Sequence, residues 1–145
     1  VDEGGAQIQG QLTATDPDTG DTRTFSTTAS VNGFTLNSDG SWSFNPSDNT
    51  YNHLPDGKVE TLNIPITVTD AAGATGTGTL TIEIKGTNDA PFVSGPSVFS
   101  LVEDGRVFSS RIAVNDIDDG EHGAGAIFST TSTEPGFTLQ ADGHY

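Results

Sequence analysis

The chain has 145 residues, 20 acidic and 5 basic side chains and a formal net charge of −15. Phosphate recognition needs a basic face and counterion release, so this balance argues against nucleic acid and, for the same reason, against an anionic membrane surface. Cys and Met are both absent; no disulfide can hold the fold, and bound cations would both staple a small domain and offset its self-repulsion.

The predicted elements follow in chain order. In "QIQGQLTAT", Ile8, Gly10, Leu12 and Ala14 share one parity and the Gln and Thr residues the other, which predicts a strand with one buried face. "DPDTGD" comes next, with Asp16 and Asp18 two residues apart; in an extended segment both would point the same way. "GFTLNSDGSWSF" predicts a hairpin in which Phe34 and Leu36 face Trp42 and Phe44 across a Ser-Asp-Gly turn. Parity assigns Trp42 to the core, whereas Tyr51, inside the polar "SDNTYNH", is left open to exposure and would make a poor platform alone. "LNIPITV" puts Leu62, Ile64, Ile66 and Val68 inward, with Pro65 on the outward phase, as suits an edge strand or a bulge. "LTIEI" repeats the alternation with Leu80, Ile82 and Ile84. No window carries a helical stripe. Asp39-Gly40, Asp56-Gly57 and Asp142-Gly143 read as turns.

The opening segment recurs about a hundred residues later. Glu3 matches Glu103, and "TATDPDTGD" matches "AVNDIDDGE", so Asp16 and Asp18 pair with Asp116 and Asp118. After a short insertion the match resumes: "FSTTASVNGFTLNSDGSW" aligns with "FSTTSTEPGFTLQADGHY", pairing Phe34 with Phe137, Leu36 with Leu139 and Trp42 with Tyr145. The division expected is one repeat with its linker over 1–90 and the amino-terminal part of a second over 91–145. Short strands between Gly, Asp and Pro turns indicate an all-β chain of tandem β-sandwiches, the second truncated.

Carboxylates without nearby His or Cys specify a hard cation, and calcium takes six to eight oxygen ligands. An EF-hand fails: in "DPDTGDTRTFST" the fifth position is Gly20 and the twelfth Thr27, and "DIDDGEHGAGAI" lacks the closing Glu. Any site is therefore assembled from distant parts of the chain. His53, His122 and His144 have no zinc spacing, and no nucleophile–base pair or paired catalytic carboxylates stand out, so the chain does not read as an enzyme.

An early Glu, a D-x-D, "ITVTDAAGATGTGTLTIEIKGTNDAP" and the "FTLNSDGSWSF" hairpin resemble the VCBS-type, cadherin-like repeats of large bacterial RTX-type surface adhesins. The resemblance covers nearly all of the first copy and what is present of the second. It implies Greek-key sandwiches of the cadherin or immunoglobulin kind, with Ca2+ between successive repeats. Carried over by residue, it implies one inter-domain cluster of Glu3, Asn88, Asp89, Asp116 and Asp118, and an equivalent half-site of Asp16, Asp18 and Asp70. An acidic ligand ahead of the penultimate strand is either Asp56 or Glu60, with Glu60 preferred. Gly86 departs from the pattern, standing where many cadherins have a further Asp.

The function implied is a calcium-rigidified spacer of an extracellular adhesin on the bacterial cell surface, supporting adhesion and biofilm formation, secreted by the type I route since Val1 begins no secretion signal. No apolar run reaches the roughly 18 residues of a membrane span. The partners expected are neighbouring repeats of the same chain, with a host-cell or biofilm ligand bound elsewhere in the parent protein. The rival reading is a carbohydrate- or peptide-binding module, for which Trp42, Tyr51 and Tyr145 are the aromatic candidates. For the short second copy three explanations stay open: a fragment, a repeat split by an inserted module, or a half-sandwich completed by a second chain.

Overall fold

A computed structural model describes residues 1–16, 21–94, 100, 105–121 and 125–145; Asp18, Gly20, Glu103 and His122 lie outside them. All regular structure within these residues is β, in the order β1 (Ile8–Gln11), β2 (Arg23–Ser26), β3 (Phe34–Leu36), β4 (Ser41–Phe44), β5 (Val59–Asp70), β6 (Thr75–Lys85), β7 (Phe92–Ser94) and β8 (Ala113–Asn115). The chain forms two compact units, Val1–Asn88 and Asp89–Tyr145.

Unit 1 is a sandwich of two three-stranded antiparallel sheets, ordered β1-β4-β3 and β2-β5-β6. The chain changes sheet between β1 and β2, so β1 meets β4 only after an excursion through the opposite sheet. Period-two alternation decides what is buried. On β5 and β6, Ile64, Ile66, Ile82 and Ile84 turn inward and join Phe44 in the core, while Thr61, Asn63, Thr81 and Glu83 face out. The β3–β4 hairpin has the expected register, Phe34 opposite Phe44 and Leu36 opposite Trp42. Trp42 is half-buried, its ring 6.2 Å from that of Phe34, and it packs against the core as parity implied.

Two expectations need correction. Tyr51 is buried: its ring lies 5.5 Å from Phe44 and its hydroxyl donates to the Asn32 carbonyl at 2.8 Å. Local turns explain this, because Asn45 Oδ1 accepts from the Ser47 amide and Asp48 Oδ1 from the amide and hydroxyl of Thr50. Those side chains bend the polar segment, so its composition reflects turn chemistry while its one large apolar ring goes inward. Burial, and then the Glu60 and Asp48 charges, hold the Tyr51 hydroxyl above its ordinary pKa of 10.0.

Pro65, in turn, sits on a strand that is central for part of its length. β2 pairs with Thr67–Asp70 only, so β5 at Pro65 has β6 on one side and no ladder on the other. The Pro65 carbonyl accepts from Thr27 Oγ1 at 2.7 Å on that open side. The N and C=O of one strand residue point the same way, so the missing N–H falls where the ladder has already ended.

Unit 2 pairs β7 with β8, Val93 opposite Val114. Elsewhere its hydrogen bonds recur at the positions matched to unit 1. Leu12 N–H to Gly40 O, 2.8 Å, has its counterpart in Ile112 N–H to Gly143 O, 2.9 Å; Phe25 N–H to Ser38 O, 2.9 Å, has Phe128 N–H to Ala141 O, 3.0 Å. Gly40 and Gly143 both adopt φ near 86°, in the Asp-Gly turns read from sequence. A side chain at either would also strike a ring, since an added Cβ would lie 2.9 Å from Phe25 or from Phe128.

Candidate metal centre

Each unit holds its own group of carboxylates. In unit 1, β2 begins beside the end of β5, with Arg23 opposite Asp70. That register carries Asp21, just ahead of β2, to Asp70, and Asp16 meets them from the segment that follows β1. One carboxylate oxygen of each lies within 4.8 Å of the others, and all three side chains are half-buried. Asp70 Oδ1 also accepts from the Ala74 amide at 2.8 Å, which closes the β5–β6 turn, and Asp21 Oδ1 accepts from the Thr22 amide at 2.8 Å. Asp16 and Asp70 line a pocket of about 210 Å³ together with Ala14, Thr15 and Arg23. Three anions this close repel by about 1 to 4 kcal/mol per pair, from bulk water to a near-surface dielectric. Oxygen donors of this kind suit a hard cation.

Asp21 was missed from sequence. The expected half-site was Asp16, Asp18 and Asp70; the structure joins Asp16 and Asp70 through Asp21, and Asp18 is outside the described residues. A signal existed, for the matching position in the second copy is the acid Glu121.

In unit 2, Asp116 and Asp118 are both buried, Asp118 completely. The pair is not extended. Asp116 Oδ1 accepts from the Asp118 amide at 3.1 Å, so the D-x-D is a bend that turns its own carboxylate onto the backbone. Asp118 Oδ2 accepts from the Asp89 amide at 2.9 Å, drawing the first residue of unit 2 to this bend, with the Asp89 side chain half-buried beside it. Asp118 Oδ1 is buried with no hydrogen-bond partner. An ionised carboxylate out of water with an orphaned oxygen is costly unless a cation meets it, and the donor set fits Ca2+.

The other expected ligands are placed as follows. Glu3 is 5% exposed and already engaged: Oε1 accepts from the Thr87 amide at 2.7 Å and Oε2 from the Leu54 amide at 3.3 Å. Its position comes from the first residues running parallel to the end of β6, with Glu3 N–H bonded to Lys85 O at 2.9 Å. Asn88 is exposed at the end of unit 1, Asp56 is exposed in the Asp56-Gly57 turn, and Glu60 is half-buried on β5 opposite Ile84. Neither Asp56 nor Glu60 belongs to the Asp16, Asp21 and Asp70 group.

Gly86, where the sequence departs from the resemblance's pattern, is buried against the Leu54–Pro55 backbone. An added Cβ there would lie 2.4 Å from Leu54 O and 2.3 Å from Pro55 O, so a larger residue does not fit. Among the three aromatic candidates of the rival reading, Tyr51 is removed by its burial and Trp42 is half covered.

The pattern of the bacterial cadherin-like domain matches residues 1–86. None of the curated proteins compared with the chain matches it. The match spans the whole of the unit 1 sandwich to the end of β6, and the chain therefore belongs to the bacterial cadherin-like domain family.

Proposed function

We propose that this chain is a calcium-rigidified spacer of a bacterial cell-surface adhesin, with residues 91–145 forming the amino-terminal part of a second repeat. Bacterial cadherin-like domains are extracellular repeat modules that generally bind Ca2+. The observation that carries the reading is Asp118: a wholly buried carboxylate with one orphaned oxygen, held by the amide of Asp89. The ligands we assign to the joint are those named from the resemblance, Glu3, Asn88, Asp89, Asp116 and Asp118. Asp16, Asp18 and Asp70, now with Asp21, form the half-site that would face a preceding repeat.

A ligand that binds only the folded form stabilises it by RT ln(1 + [L]/Kd), about 2.7 kcal/mol at a hundredfold excess over Kd. Extracellular calcium modules commonly have Kd values of order 10⁻⁴ to 10⁻³ M. In calcium-rich surroundings the joints are therefore filled and the spacer is stiff; in a low-calcium cytoplasm it is slack before export. The role is mechanical and not catalytic, with neighbouring repeats as the immediate partners and the adhesion ligand bound elsewhere in the parent protein.

Thermal unfolding with and without Ca2+, paired with small-angle scattering, tests this. A higher melting temperature and a longer particle in Ca2+ are expected. If neither changes, the stiffened joint is wrong.

A further inference from the structure

The two carboxylate groups differ by one cation. The chain has 20 acidic and 5 basic side chains, so a fixed cation beside a cluster of its acids is unusual. Unit 1 has one. Arg23 stands directly opposite Asp70 in the β2–β5 ladder, where facing side chains have Cβ atoms about 4.5–5.5 Å apart. It shares the phase of Phe25, which packs on the core, so Arg23 and Asp70 meet at the end of the sandwich interior. Both line the pocket that Asp16 also borders.

The guanidinium is anchored there. Its Nη1 donates to the Ala14 carbonyl at 2.5 Å, two residues ahead of Asp16. This bond has two consequences for a bound cation. It fixes a positive charge beside Asp16, Asp21 and Asp70, whose oxygens lie within 4.8 Å of one another, and so offsets part of their repulsion while the group is empty. It also engages a backbone carbonyl, a kind of oxygen that calcium takes as a ligand.

Unit 2 is built otherwise. The position matching Arg23 is Ala126. Asp118 is wholly buried and its Oδ1 has no hydrogen-bond partner. One group is relieved from within, and the other keeps an unmet negative charge.

We infer that Arg23 is the built-in counter-ion of the unit 1 group, lowering its calcium affinity so that it fills after the unit 2 group. The inference rests on the proposal that both groups bind Ca2+. Coulomb energy scales with the product of the charges, so a fixed guanidinium opposes a divalent ion twice as strongly as a monovalent one at the same distance. The same charge stabilises the empty group, which narrows the gain on binding further. Calcium at a level that fills unit 2 therefore leaves unit 1 partly empty.

Three backbone amides report the groups separately. The Ala74 amide bonds Asp70 Oδ1 and the Thr22 amide bonds Asp21 Oδ1 in unit 1, while the Asp89 amide bonds Asp118 Oδ2 in unit 2. The whole chain is titrated with Ca2+ and the magnetic resonance shifts of these amides are followed. In the parent chain Asp89 is expected to respond at calcium levels about tenfold below those that move Ala74 and Thr22. Arg23→Gln loses the charge and keeps an amide donor for the Ala14 carbonyl. It should bring the Ala74 and Thr22 midpoint down about tenfold and leave that of Asp89 in place. Arg23→Lys keeps the charge and should stay close to the parent.

Melting temperature gives a second readout. In chelator Arg23→Gln should melt below the parent, because three carboxylates lose their counter-ion, and in saturating Ca2+ the difference should close. An equal deficit under both conditions means that Arg23 is structural only and overturns the inference. A unit 1 midpoint unchanged in Arg23→Gln overturns it too, with both groups still calcium sites. So does a parent chain in which Ala74 and Thr22 respond together with Asp89 or before it. If those two amides respond in neither chain while Asp89 does, the unit 1 group is no calcium site and the inference falls with it. If none of the three responds, the calcium reading of both groups fails.

Discussion

Glu3 and Thr87 are separated by almost the whole of unit 1 in sequence, yet Glu3 Oε1 accepts the Thr87 amide proton at 2.7 Å. The second oxygen takes the Leu54 amide at 3.3 Å, so one buried carboxylate ties the start of the chain, a loop and the exit from β6 together. Removing it leaves two sheltered N–H groups without an acceptor, at about 1–3 kcal/mol each. Glu3→Ala is therefore expected to lose about 2–5 kcal/mol, and Glu3→Gln clearly less, because one amide oxygen still accepts. Urea unfolding in chelator measures both and separates this role from any calcium effect.

Gly86 gives a steric prediction beside it. Gly86→Ala pushes a methyl group into the Leu54 and Pro55 carbonyls, and backbone cannot swing aside as a side chain can. Overpacking of this kind costs about 1–3 kcal/mol. Gly86→Asp, which would place a further acid beside the linker, should be worse still and should not improve calcium binding. A calorimetric calcium titration of the Asp variant decides the second point.

Asp118→Asn should change sign with calcium. In chelator the substitution removes a buried charge with an orphaned oxygen, while the amide oxygen keeps the bond from Asp89, so the melting temperature is expected to hold or rise. In Ca2+ it should fall below that of the parent chain, since a ligand is lost. Melting curves under the two conditions check the crossing. A fall of equal size in both would mean that Asp118 is structural only.

Asp70→Asn and Asp21→Ala test the unit 1 group. Loss of one carboxylate from three should weaken calcium binding there at least tenfold, about 1.4 kcal/mol. Asp21→Ala is the sharper variant because Asp70 also closes the β5–β6 turn. Isothermal titration that shows equal affinity for Asp21→Ala and the parent chain would remove Asp21 from the site.

Tyr51 sets the alkaline limit. Its hydroxyl is held above 10.0 chiefly by burial, so the folded form binds its proton more tightly than the unfolded form. The stability this represents is complete below pH 10 and is lost as pH rises toward the folded-state value. Absorbance at 295 nm in Tyr145→Phe, which leaves Tyr51 as the one tyrosine, should show phenolate forming only together with unfolding. A simple titration near 10 in the folded protein would contradict it.

Asp39 and Asp48 act at the opposite end. Hydrogen bonds from Ser41 and from Thr50, respectively, hold their carboxyl groups below the ordinary 3.8. A lowered value means that the contribution is present above 3.8 and is lost as pH falls through the folded-state value. Asp39 is exposed and Asp48 only partly covered, so the acid limb should be shallow, and Asp39→Asn should flatten it further in a pH series of melting temperatures.

The strands were legible because alternation is a local property. Ile64, Ile66, Ile82 and Ile84 declare their face by parity alone, and the Phe34–Phe44 register follows from the Asp39-Gly40 turn between them. Tyr51 was not legible, because its burial depends on Asn45 and Asp48 bending a polar segment, an effect that composition hides. Asp21 was missed for a related reason: it reaches Asp70 only through the β2–β5 register, and no spacing along the chain records that pairing.

By itself, then, the sequence determined the β class, the inward faces, the internal recurrence and the acidic residue types that suit a hard cation, since each is written in period, turn chemistry or charge. Tertiary structure alone decided which acids converge, that the Asp116–Asp118 pair is a bend and not an extended segment, and that Glu3 accepts from two backbone amides. Convergence requires strands distant in sequence to pair in one register, and the burial that leaves Asp118 Oδ1 without a partner exists only once the chain has packed around it.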